Sequence, residues 1–132
     1  MNTYETMHKL IQISQTFLIS TIDVRGFPTT IVVSPPLQRD GIQMMTFYLN
    51  GNGESVENII RDGKGSVCCY REKSYQSLSL KGKFSIRPFS EEDRALLNQY
   101  QLKLDHEEPV TVVFETMIAK VHAEGRTVNL VL

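Results

Sequence analysis

The sequence predicts a β-rich α+β domain in which antiparallel strands close into a barrel or a strongly curled sheet, flanked by short helices. Three observations carry this. Leu78, Leu80, Gly82, Phe84 and Ile86 alternate with Ser79, Lys81, Lys83 and Ser85, and a period of two is the signature of a strand with one apolar face. Turn signals at Asp23-Val24-Arg25-Gly26, Asp40-Gly41 and Glu124-Gly125 separate apolar, β-branched runs, which reads as hairpins. Helical spacing is confined to short segments, and few helices beside long strands favour a filled barrel.

Taken in order, Tyr4, Met7, Leu10 and Ile11 fall at helical spacing behind Asn2 or Thr3, predicting a capped amphipathic helix that ends near Ser14. Phe17–Ile22, Pro28–Val33 and Ile42–Leu49 read as three strands of a meander. Pro35-Pro36 stops the second, because proline cannot donate to a sheet ladder. Ser55 reads as the cap of a short helix with Val56, Ile59 and Ile60 inward, ended by Asp62-Gly63-Lys64-Gly65. A short buried strand over Ser66–Tyr70 precedes the alternating strand. In the latter, Gly82 marks a bulge, a barrel bend or a close approach. Ser90, with Asp93 three residues on, predicts a capping box opening one helix through Leu96, Leu97, Tyr100 and Leu104. Val110–Val121 and Val128–Leu132 form a closing hairpin.

The chain has 132 residues, enough for one sizeable core, and no linker or repeat divides it, so residues 1–132 read as one domain. Apolar residues at 41% and charged residues at 22% place it among globular rather than disordered chains. A formal charge of −1 argues against bulk attraction to nucleic acid or anionic membranes. No apolar run approaches a membrane span. The start, Met1 to Glu5, lacks the basic and apolar regions of a signal peptide. Cys68 and Cys69 are adjacent in a strand, where side chains point to opposite faces, so they read as buried free thiols. A cytoplasmic location is the expectation.

No nucleophile, zinc or dinucleotide motif is present, and no catalytic residue stands out. His8, His106 and His122 are scattered over helix, loop and strand without metal-ligand spacing, so no metal site is expected. The most informative loop is Asn50-Gly51-Asn52-Gly53 leading to Ser55. Glycines let the backbone curl, and the first turn of the next helix offers free N–H groups to an anion. The same pattern also suits a plain loop before a capped helix, with Glu54 and Glu57 stabilised by the helix dipole.

Phe17-Leu18-Ile19-Ser20-Thr21, Gly26-Phe27-Pro28, Thr46-Phe47-Tyr48-Leu49-Asn50, Ser55 before a short helix, and Lys81-Gly82-Lys83 occur in an order and spacing that resemble the pyridoxamine 5′-phosphate oxidase-like FMN-binding proteins, in their general stress protein branch. The resemblance implies a six-to-seven-stranded antiparallel split β-barrel. It also implies a homodimer with FMN between subunits, and flavin-dependent oxidoreductase activity. By that resemblance Phe47, Tyr48, Leu49 and Asn50 line the isoalloxazine ring with Ser34, while Ser55 and Asn58 hold the phosphate. The family's basic phosphate-binding positions here carry Val56 and Glu57. Arg61, Lys64, Lys81 or Lys83 would have to supply the missing charge. The second strand, Thr29 to Ser34, lacks the basic residue of relatives, and His122 lies near where relatives place a tryptophan. The alternative is a split-barrel dimer that has lost FMN and serves as a non-catalytic ligand-binding or interaction module.

Overall fold

A computed structural model describes residues 2–132; Met1, the first residue of the opening read for a signal sequence, lies outside the described residues. The chain runs α1 (Thr3–Ile13), β1 (Phe17–Ile22), β2 (Pro28–Val33), β3 (Gln38–Asp40), β4 (Met44–Asn50), α2 (Glu54–Arg61), β5 (Lys64–Arg71), β6 (Gln76–Pro88), α3 (Glu91–Ala95), α4 (Gln99–Leu104), β7 (Pro109–Ala123) and β8 (Arg126–Val131), with a 3₁₀ turn at Glu72–Ser74.

One antiparallel sheet has the order β2-β1-β5-β6-β7-β4-β3. The long β7 pairs β6 along one edge. Its other edge pairs β4 over residues 109–115 and β8 over 118–123. The change of partner coincides with a bulge opposite Lys81 and Gly82, where Met117 is left over in the register. Gly82 is required there, since a Cβ would overlap the Glu115 carbonyl. The kink folds the sheet round a core whose centre is Phe17, Ile19, Phe47, Leu78, Leu80 and Phe114. Met7, Leu10 and Ile11 of α1 close one end of it, as their spacing predicts. Asn2 is the helix cap, its side chain accepting from the Glu5 N–H at 2.8 Å.

The sheet curls without closing. Its terminal strands, β2 and β3, do not pair with each other. Three sequence expectations need correction here. The meander stops after β2: β3, a strand the sequence does not announce, forms a hairpin with β4, and β4 crosses to β7. Pro35-Pro36 frees the chain from β2, and the apolar face of β4 finds its burial beside β7. Gly53, not Ser55, caps α2, and Ile60 is 76% exposed while Asn58 takes the inward position with Val56 and Ile59. The helix expected after Ser90 is two, because Asn98 starts a second capping box with Gln101. Tyr100 and Leu104 stay exposed instead of joining the core.

Cys68 is half-buried and Cys69 buried, both as free thiols. Burial pushes the Cys69 thiol up to about 12, which makes it inert. Among the described residues no helix is long and apolar enough to cross a membrane.

Candidate functional site

β3 pairs β4 only over Met44–Thr46, so the remainder of β4, from Phe47 to Asn50, has one edge without a partner strand. The outer edge of β2 is likewise unpaired. The split in the sheet lies between them, and it is hollow. One cavity of about 380 Å³ is lined by Ile31 to Ser34 from β2 and its end, Tyr48 and Leu49 from β4, and Tyr100, Gln101 and Leu104 from α4. A second, of about 270 Å³, continues past Ile31 and Leu49 to Asn50, Glu54 and Ser55 at the start of α2. His106 borders both. Together they form a groove with apolar walls, in the size range of small-molecule sites, with unpaired strand edges to read a ligand's polar rim.

Tyr48 is the most firmly held group in it. Alternation along β4 sends Phe47 into the core against Phe17, with ring centroids 6.2 Å apart, and Tyr48 to the other face. Tyr48 is 7% exposed and packs between Phe89 at 5.2 Å and His106 at 4.7 Å. Its hydroxyl accepts from the His106 backbone N–H at 3.1 Å, which satisfies the phenol and orients the ring. The loop carrying His106 is pinned in turn, as the Gly51 N–H donates to the Glu108 carbonyl at 2.7 Å. At Gly51 a Cβ would come within 2.9 Å of that carbonyl, so glycine permits the approach.

Beside this wall, Asp93 is 2% exposed and anchors α3. It accepts from Arg87 at 2.7 and 3.0 Å, from the Ser90 N–H at 3.1 Å and from the Thr111 hydroxyl at 2.8 Å. Burial opposes its charge, but these donors outweigh burial and hold the carboxyl well below the usual carboxylate range.

Of the residues the sequence singles out, the groove gathers Ser34, Tyr48, Leu49, Asn50 and Ser55. Phe47 lies in the core, 1% exposed. Asn58 is 2% exposed, and its amide is committed elsewhere, donating to the Thr21 hydroxyl at 3.0 Å and accepting from Arg61 at 2.7 Å. His122 bonds Thr127 at 2.9 Å and lines neither cavity. His106 is the residue the sequence does not pick out. Only its return to Tyr48 from fifty-eight residues away gives it a place in the groove, and nothing local signals that.

The phosphate end of the groove divides the fit of FMN. The N–H groups of Glu54, Ser55 and Val56 have no acceptor among the described residues, and no side chain caps the helix, which suits an anion. The side chains do not. Among the described residues no Lys or Arg lines either cavity, and Glu54 is the one carboxylate that does. Arg61 spends its guanidinium on Asn58 and on the Ile22 carbonyl at 3.0 Å. Lys64, Lys81 and Lys83 border a different hollow, on the outer face of the sheet. A carboxylate ~6 Å from a doubly charged phosphate costs on the order of several kcal/mol at an intermediate dielectric, reduced to ~1–2 kcal/mol by screening where it is exposed, as Glu54 is. The groove thus offers apolar walls at one end and, at the other, free amides without a cation to match a phosphate.

The open, kinked sheet with its split groove is the split-barrel fold. Solved structures with this fold include a Clostridium acetobutylicum protein related to general stress protein 26 of B. subtilis, described as of the pyridoxinephosphate oxidase family. It is similar at a TM-score of 0.83 and 16% identity over 98% of this chain and 94% of that one. General Stress Protein 26 from Bacillus anthracis is similar at 0.80 and 14%, over 98% and 100%. A heme binding protein from Mycobacterium smegmatis is similar at 0.75 and 14%, over 99% of this chain and 59% of that one. No family model matches the sequence, and neither does any curated protein.

Proposed function

We propose that this protein is a small-molecule-binding split barrel that receives a planar heteroaromatic ring of the flavin type in the groove between β2 and β4. The observation that carries this is the continuity of the two cavities, which brings Ser34, Tyr48, Leu49, Asn50 and Ser55 to one surface with His106. Leu49 and Ile31 give the flat apolar contact, and the unpaired strand edges give donors and acceptors for the rim of a ring. Likeness to pyridoxinephosphate oxidase-family structures supports a flavin ring, and likeness to a heme binding protein supports planar ligands more broadly. Any oxidoreductase chemistry would belong to the bound ring, with the protein supplying pocket and electrostatics. Among the described residues no cluster of His, Cys, Asp and Glu is placed to hold a metal ion.

The proposed active form is a homodimer of one-domain chains, with a cytoplasmic location. The support for a dimer is the outer face of the sheet, where Ile22, Pro28, Met117, Ile118, Val131 and Leu132 surround an apolar hollow of about 610 Å³, the kind of patch that marks an interface. A second reading, a barrel that has lost FMN and acts as a binding or interaction module, is favoured by one observation: the missing cation at the phosphate end.

Titration of riboflavin into the protein, followed by quenching of flavin fluorescence, tests the reading. Micromolar binding is the expected result, weakened about tenfold or more in Tyr48→Ala through loss of the aromatic wall. A protein that quenches no isoalloxazine leaves the interaction-module reading.

A further inference from the structure

Resting on the ring-binding reading, the geometry points to Glu54 as a specificity determinant that makes this groove select planar heteroaromatic ligands without an anionic group, so that it prefers the dephosphorylated ring compound to its phosphate ester. Among the described residues Glu54 is the one Asp, Glu, Lys or Arg on the cavity lining. Glu57 stands one turn on in the same helix, exposed. Neither carboxylate has an ion-pair partner among the described residues, where the salt bridges are Arg87–Asp93 and Arg94–Glu91. The nearest cation along α2, Arg61, is turned away to Asn58 and the Ile22 carbonyl.

The three free amides at the start of α2 attract negative charge, but Glu54 already brings a carboxylate to that helix end. A ligand phosphate entering beside Ser55 would reach those amides only against its repulsion. An uncharged ribityl or hydroxyalkyl tail avoids that conflict. It can accept from the free N–H groups and bond the Ser55 hydroxyl or Asn50, and a cationic tail would pair with Glu54. The acidic start of α2 thus disfavours phosphate esters, and by the same logic planar ligands with carboxylate arms.

The test is a pair of titrations on the full chain with riboflavin and FMN, which share one ring and differ in the phosphate. Riboflavin is expected to bind at least about fivefold more tightly, with the gap narrowing as salt rises from about 20 to 500 mM. Glu54→Lys is expected to reverse the order, moving the FMN-to-riboflavin affinity ratio by at least about tenfold, with Glu54→Gln in between. Glu72→Lys, an equal change of charge at an exposed position of the 3₁₀ turn after β5 that lines neither cavity, is expected to leave the ratio unmoved and controls for net charge. FMN binding as tightly as riboflavin or tighter in the parent chain overturns the proposal, as does a ratio insensitive to Glu54→Lys. If neither ligand binds, the ring-binding function itself falls and this selectivity falls with it, so the two failures are distinguishable.

Discussion

Asp93 shows how one buried residue carries more than its own burial. Four donors converge on a carboxylate that is 2% exposed, and the group ties β6, β7 and α3 together next to the Tyr48 wall. Its folded-state pKa is depressed. The stability it contributes is therefore present above the unfolded value of ~3.9 and is lost as pH falls below it toward the folded value. Replacing Asp93 with Asn strands Arg87 and two other donors, at a cost of ~2 kcal/mol once the partial exposure of Arg87 is allowed for. Urea denaturation should show a loss at pH 3 that is smaller than at pH 7 by about 1 kcal/mol, since pH 3 lies about one unit below the unfolded value and each unit is worth ~1.4 kcal/mol; an equal loss at both would refute the ionic account. The sequence reveals Asp93 as a capping residue through Ser90-Glu91-Glu92-Asp93, but its bonds to Arg87 and Thr111 depend on strands meeting in space.

At the scale of elements, the β6–β7 pair controls the shape. Gly82 and the extra residue Met117 allow β7 to leave β4 and take up β8, and the same kink curls the sheet. Gly82→Ala would push a Cβ into the Glu115 carbonyl and the Phe114 ring. A loss of ~2–3 kcal/mol is expected from overpacking, read as a lower thermal midpoint. A change within ~0.5 kcal/mol would mean that the bulge tolerates a side chain. The alternation that predicts β6 is written in every second residue, and the glycine that breaks it flags an irregularity that the structure resolves as a bulge. By contrast, β3 is three residues long with no periodicity to read, and the division of the third helical segment turns on a single asparagine cap.

For the whole molecule, the outer face of the sheet is the feature a lone chain leaves unexplained. Val131 is 77% exposed and Met117 51%, beside the apolar hollow rimmed by Lys64, Lys81 and Lys83. If that face joins two copies, Val131→Glu should convert a dimer to a folded monomer, seen by light scattering with the circular dichroism spectrum retained. It should also remove the concentration dependence of the thermal midpoint. A wild-type chain that is monomeric at high micromolar concentration would refute the interface.

Local chain order sets the material: a β-rich chain of antiparallel strands, a capped first helix, a break in the alternation at Gly82, and a loop suited to anions but decorated with acids. These are legible because each depends on residues adjacent in the chain, where periodicity, turn residues and caps act locally. Tertiary structure decided the rest. Which strand edges stay unpaired, that Phe47 is core while Tyr48 faces the groove, that Asn58 turns inward, and that His106 comes to Tyr48 all follow from contacts between distant segments. Burial is settled by how the whole sheet closes, and a groove made by its failure to close has no local signature.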